Sequence, residues 1–463
     1  MVSRRRFLRL GAGAIAGATT TGCVGSPRRG DGTASADTAN ATESAPNGAD
    51  DAPTTTTGDL PTWSPDWTLS FDDWHVLGLD AADAADAGGP LYVTLSRDGG
   101  DSAVAAVDPG DRSVRWRTPM DGEAVGGSHA SYQRIARGGW GVTLDRDTVY
   151  AVAGRADERE WTALHAFDRA SGDERWSLER DRELGVAGVS AGLLVATGLE
   201  FFPPADQTPT SHQTPEEPLT TVVYGVDPAD GTVAWERTFT AVDDVAVGEW
   251  GVVVATDGGL VALGRDGARR FTVGDGPATR VEVAGDRAFV LTGEDEGATL
   301  SGVAANGDVD WRYDAPVHEL RLAGDRLYAG GDAVVALDAD GTVVWRDDDY
   351  GQWLLFDPDG DTLYTRSGVR QDAATAYDAA GGERWTFAPP SNNAWPEAAT
   401  NDSLVATAIT AEDADDPFKT VYAVDSAGEA TASFGRDTVF DAVGVADTAY
   451  LADGRSTLLA LTP

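Results

Sequence analysis

Five histidines, one cysteine and a surplus of carboxylates are the groups with which this chain of 463 residues could do chemistry. A metal site needs several ligands brought together, often by a short and regular spacing. His75, His129, His165, His212 and His318 are scattered with no such spacing, and each reads as a satisfied or exposed surface side chain. Asp357, Asp359 and Asp361 alternate as the carboxylates of a calcium loop do. The glutamate that closes such a loop at its twelfth position is missing, so the stretch is expected to be a turn between two strands. Neither the phosphate-binding GxxxxGK[ST] pattern nor HExxH occurs. Asp and Glu together number 76, so paired carboxylates carry no signal until a fold brings particular ones together. The residues alone assign no catalytic, cofactor-binding or metal-binding position.

The residues that do recur at a fixed spacing are of a structural kind. In 331–345, GDAVVALDADGTVVW, an apolar run through Leu337 leads to Asp338, Gly341 and a second β-branched run ending at Trp345. This reads as strand, turn, strand, because Asp can cap its own turn and Gly accepts positive φ. Gly172, Gly231, Gly267, Gly307, Gly341 and Gly381 each stand four residues before Trp176, Trp235, Phe271, Trp311, Trp345 and Trp385. Gly428 keeps the spacing, with Ala432 in the aromatic place and Phe434 two residues on. In the earliest copy, which ends at Trp116, Arg112 stands where the glycine would be.

Successive anchors are 34 to 60 residues apart, and the shortest intervals hold four short strands and little else. A four-stranded unit of that size cannot bury both faces alone, so copies must pack face to face around an axis. The expected fold is therefore all-β, a single β-propeller, with each anchor indole wedged between neighbouring blades. Eight anchors give eight blades. Three strand-like pieces after Ala432, joined by Trp67-Thr68-Leu69-Ser70-Phe71 from the start, would clasp first and last strands together and make nine. Eight is the expected number, with nine as the alternative.

ALDADGTVVW, AYDAAGGERWTF, AFDRASGDERW and GVDPADGTVAW resemble the repeat of pyrroloquinoline-quinone-type (PQQ-like) propellers. That family includes quinoprotein alcohol dehydrogenases and the propeller lipoprotein of the outer-membrane β-barrel assembly machine. The resemblance covers nearly all of 64–463 and implies seven or eight blades. In the quinoprotein enzymes it would imply a bound quinone, a calcium ion, a catalytic Asp and often a disulfide of adjacent cysteines. Cys23 is the only cysteine, so that disulfide is impossible, and no stretch matches the family's cofactor-binding segment. Neither PQQ nor calcium is expected. What the repeat carries is structure: Trp116, Trp176, Trp235, Phe271, Trp311, Trp345 and Trp385.

The chain divides into three parts. Residues 1–23 are a targeting segment. Ser3-Arg4-Arg5-Arg6-Phe7-Leu8 resembles the twin-arginine export signal, with Arg4 and Arg5 as its pair, and Thr20-Thr21-Gly22-Cys23 resembles a lipoprotein processing box, with Cys23 as the lipidated residue. Residues 24–62, rich in Ser, Thr, Ala and Asp, have too little apolar surface to fold and are expected to be a disordered tether. Residues 63–463 are the propeller. The formal net charge is −41, and Lys419 is the only lysine among 35 basic residues. Such a surface repels phosphate backbones, which excludes nucleic acid as a partner. The same acid-rich, lysine-poor composition resembles that of proteins from salt-loving archaea.

These observations lead to an exported, lipid-anchored, non-catalytic scaffold at the outer face of the cytoplasmic membrane. It would bind a protein or an extracellular ligand, which loops such as 122–139, 201–218 and 410–418 could help to contact. The alternatives are a quinoprotein-like oxidoreductase using PQQ, and a glycan-binding protein using Trp74, Trp140 or Trp353 as exposed indoles.

Overall fold

The computed structural model describes residues 60–81, 88–97, 100–125, 142–155, 161–199, 220–293, 297–314, 316–368, 372–390, 393–409, 419–436, 439 and 441–463. Arg4, Arg5, Cys23, nearly all of the tether, Trp140, His129, His212 and most of the three long loops lie outside them. Among the described residues every regular element but a single 3-10 position is a strand or bridge, and no helix occurs. The strands form antiparallel four-stranded units in chain order, spanning 75–120, 123–180, 183–240, 242–273, 278–314, 317–347, 351–387 and 394–436. The units at 317–347 and 351–387 are joined through one bridge, Gly331 to Gly351. In the unit at 123–180 the first strand comes in two pieces, Glu123–Val125 and Thr143–Leu144, both paired with Thr148–Arg155.

The last three strands, 441–461, take their fourth from the beginning of the chain. Trp67–Ser70 lies antiparallel to Thr457–Leu461, with Trp67 opposite Ala460. That register is shared by all the anchors. Trp116 faces Ala106, Trp176 faces Ala166, Trp235 faces Gly225, Trp311 faces Gly302, Trp345 faces Ala336 and Trp385 faces Ala376. A broad indole lying flat over the third strand leaves room only for Gly or Ala beneath it. A Cβ on Gly225 would sit 2.1 Å from the Trp235 ring.

The turn glycine has a second duty that its turn does not explain. A Cβ on Gly172, Gly231, Gly341 or Gly381 would lie 2.3–2.6 Å from the aromatic anchor of the preceding unit: Trp116, Trp176, Trp311 and Trp345 respectively. The Gly-x3-Trp phrase is therefore one half of two successive interfaces, because its glycine receives one indole while its own indole goes to the next glycine. Trp116, Trp176, Trp235 and Trp311 complete the contact by donating Nε1–H to a backbone oxygen of the next unit's turn, at 2.7–3.2 Å. Arg112 adopts φ 55, so the non-glycine copy keeps the left-handed turn. Asp168, Asp227, Asp378 and Asp425 accept the N–H two residues on, as a turn-capping Asp should.

Burial follows the same logic. Among the described residues the apolar side chains gather into nine separate cores, and each is shared by two neighbouring units. Tyr364, Trp385 and Phe387 of one unit, for example, pack with Leu404, Ala406 and Tyr422 of the next. Asp357–Asp361 is the turn between the first two strands of its unit, and the Asp357 carboxylate accepts the N–H of Asp361.

Candidate functional site

In several units the first, innermost strand, which packs against the first strand of the next unit, carries a β-bulge that re-aims side chains. Register shifts fall between Val242 and Asp244, Ala278 and Arg280, Val317 and Glu319, and Gln352 and Leu355. The bulged residues Asp243, Thr279 and His318 line a cavity of about 230 Å³ together with Arg280, Leu291, Gly293 and Val317. That is below the roughly 300–1,000 Å³ of sites that enclose a cofactor or drug-sized ligand. It suits a side chain or a short peptide segment.

The bulge also leaves N–H groups facing the neighbouring unit, and buried carboxylates accept them. Asp244 takes the N–H of Val245 and, across the boundary, that of Val281 at 3.1 Å. Glu319, only 2% exposed, takes Trp353 at 2.6 Å and Leu354 at 3.3 Å, with Arg321 3.7 Å away. Asp441 repeats the device between the end of the chain and its beginning, accepting Leu79 N–H at 2.8 Å.

Glu319 thereby holds Trp353 in the left-handed region at φ 66, a conformation that disfavours a bulky residue. Trp353 meets Trp395 edge to face, with centroids 5.0 Å apart, and the Arg366 guanidinium lies 3.7 Å above the Trp395 ring. Arg366 also donates to Asn393 Oδ1. Burial holds its pKa down at about 10. His318 joins this group to the cavity through a 3.2 Å hydrogen bond to Gln352, and Tyr350 flanks it at 6.4 Å. The result is one patch at the end where the inner strands start, built from two indoles, a guanidinium and an imidazole on strands, with the Tyr350 phenol just before the strand Gly351–Phe356.

Of the residues singled out in the sequence, Trp176, Trp235, Trp345 and Trp385 are buried, while Trp116, Phe271 and Trp311 are half-buried. His165 is buried against Glu174 at 3.0 Å. Trp74 is not an exposed indole. It is buried, with the Arg97 and Arg117 guanidiniums within 5.4 Å of its ring, so it offers no platform to a sugar. Gly188-Val189-Ser190-Ala191-Gly192 has the GxSxG spacing of a nucleophile elbow, which needs a strand followed by a helix. Here it joins strands Glu183–Ser190 and Leu193–Leu199 through Ala191 and Gly192, both at positive φ, so Ser190 belongs to a hairpin. No group of three or more His, Cys, Asp or Glu among the described residues is placed to hold a metal ion.

Asp80, beside the Asp441 clasp, is raised by burial to about 6, and the same cause raises Asp441 well above its usual range. An unfolded Asp titrates near 3.8, so between about pH 4 and 6 the folded state keeps a proton that the unfolded state gives up. Stability from this group falls as pH rises through that window. Asp80→Asn should therefore stabilise the protein by about 1–2 kcal/mol at pH 7, a value reduced because Asp80 keeps some contact with water. The gain should vanish by pH 4, as read from denaturant midpoints at the two pH values.

Comparison with known proteins places the repeat. The family described as outer membrane protein assembly factor BamB matches residues 60–208 and 220–354, more than half of the chain. Among solved structures, BamB from Moraxella catarrhalis is similar at 13% identity and a TM-score of 0.43, covering 87% of this chain and all of that one. Sqt1 of Saccharomyces cerevisiae is similar at 10% identity and 0.47, covering 87% of this chain and all of that one. A structure titled as the eukaryotic initiation factor is similar at 10% identity and 0.50, covering 82% of this chain and 91% of that one, a likeness of fold alone. No curated protein matches the chain. The Gly-x3-Trp units and their shared interfaces thus have a family: this chain belongs to that of outer membrane protein assembly factor BamB.

Proposed function

We propose that this chain is a non-catalytic binding scaffold, exported by the twin-arginine route and held at the outer face of the cytoplasmic membrane by lipid on Cys23. A partner protein docks on the end that carries Trp353, Trp395 and Arg366. The observation that carries this reading is the patch itself, in a chain of a family described as an assembly factor. Trp, Tyr and Arg are the residues that concentrate binding energy at protein interfaces. Here Trp353 and Trp395 sit on the first strands of neighbouring units, Trp353 is held by the buried Glu319 carboxylate, and buried Arg366 backs the Trp395 ring, so little ordering entropy opposes binding.

The scaffold is read as a closed ring of nine blades, the alternative count and not the expected eight. Support comes from the nine cores, each between two units, one of which joins Val76, Leu91 and Val93 of the first unit to Tyr450, Leu458 and Ala460 of the last. The eight-blade expectation followed the seven or eight blades that the resemblance implies, whereas Trp67 adds a further anchor in the same register, opposite Ala460. The acid-rich surface belongs to a protein that works in high salt.

One experiment in cells tests both the place and the role. A photo-crosslinking residue at position 353 should give a discrete protein adduct in the membrane fraction, lost when Trp395→Ala is added. Cys23→Ser should move the protein to the medium, and Arg4→Lys with Arg5→Lys should keep it inside. Absence of any adduct at 353 would refute the docking face, and a Cys23→Ser protein that still sediments with membranes in high salt would refute the anchor.

A further inference from the structure

Ala432 is the odd member of the anchor series. It faces Ala423 in the register where the other units carry an aromatic ring, so the unit at 394–436 has no anchor of its own. Yet the core between that unit and 441–461 is filled. Trp63, 8% exposed, packs there with Val405, Val421, Leu451 and Leu459, and partly buried Ala432 and Phe434 lie against it. It meets the Phe434 ring edge-on at 5.9 Å.

The backbone on either side is tied to the same strand. Thr62 bridges Ser433 in parallel, whereas the pairings within units are antiparallel. Trp63 N–H donates to Ser433 O at 2.8 Å, and Ser433 N–H donates to Pro61 O at 3.1 Å. The fold thus begins before residue 63, and the last residues of the expected tether belong to it.

We propose that residues 60–63 form a strap that supplies the missing anchor indole of the 394–436 unit, closes the outer edge of its last strand, and releases as a unit before the rest of the body opens. Its two backbone hydrogen bonds, one indole and the Leu60 side chain, which packs against the core between 351–387 and 394–436, are few beside the full ladders of the neighbouring strands, and local opening begins where such contacts are few. Any load on the chain that precedes Leu60 meets these bonds first. Once released, the edge would present unpaired N–H and C=O groups next to an indole-sized slot. The proposal does not depend on the docking face at Trp353.

The test is hydrogen exchange and thermal unfolding on the full chain. In the unaltered protein the Ser433 amide, which points at the strap, should exchange at least about tenfold faster than amides of Lys419–Val424. Trp63→Ala should lower the melting temperature by several degrees and abolish protection at Ser433. Adding Ala432→Trp should restore the melting temperature while leaving Ser433 unprotected, which separates the wedge from the edge. If Trp63→Ala does not fold, Trp63→Phe is read in its place, with a partial loss of both signals expected. Ser433 exchanging as slowly as 419–424, an unchanged melting temperature in the Trp63 variant, or no recovery with Ala432→Trp would each overturn the proposal.

Discussion

Gly381→Ala is expected to destabilise the protein by roughly 2–5 kcal/mol, far more than an exposed turn position normally allows. Two effects add. The residue sits at φ 85, where any L side chain is strained, and its Cβ would lie 2.3 Å from Cγ of buried Trp345. Gly360 separates them, since it has φ 76 but nothing within 4 Å of an added Cβ. Gly360→Ala should show the strain alone, about 1–2 kcal/mol. Trp345→Ala should lose about 3–5 kcal/mol. In that background Gly381→Ala should fall to the Gly360 value, because the ring it would strike has gone. Denaturant midpoints of the four variants measure this coupling, and additive losses would show that the glycine and the indole do not act together.

The second large effect is that of salt. With a formal charge of −41 and only 35 basic residues, repulsion across the surface is compensated chiefly by ions from solution. At molar salt the screening length is about 3 Å, shorter than the spacing of most surface charges. The melting temperature should rise by roughly 10 °C or more between dilute buffer and molar chloride, at about 2–4 °C per kcal/mol. Sodium sulfate, which also strengthens apolar burial, should exceed chloride at equal ionic strength. Equal midpoints in dilute and molar chloride would sink the high-salt reading.

The repeat was legible because one feature, glycine four residues before an aromatic, is fixed by sterics at both ends. Arg112 could break it, since a left-handed turn is tolerated at a single non-glycine position. The clasps at Asp244, Glu319 and Asp441 were not legible. They are three carboxylates among 76, and only their contacts with N–H groups of the neighbouring unit distinguish them. The patch was hidden for another reason. Arg366 belongs to the second strand of its unit, while Trp353 and Trp395 belong to the first strands of two neighbouring units, so no spacing in the chain relates them. Trp63 is hidden most deeply, because the gap it fills at Ala432 lies at the far end of the sequence.

The pairing of Trp67 with Ala460 has a consequence for how the protein is made. At about 5–20 residues per second, the strand Trp67–Ser70 leaves the ribosome some 20–80 s before its partner exists. Through that interval its indole and the edge of the first unit stay unburied, and every unit between them can assemble without them. A chain cut short anywhere before residue 457 retains that open edge, however well its earlier units have folded. The final seam therefore reports completion: a quality-control factor that recognises exposed Trp67 would distinguish finished molecules from truncated ones without inspecting any other part of the protein.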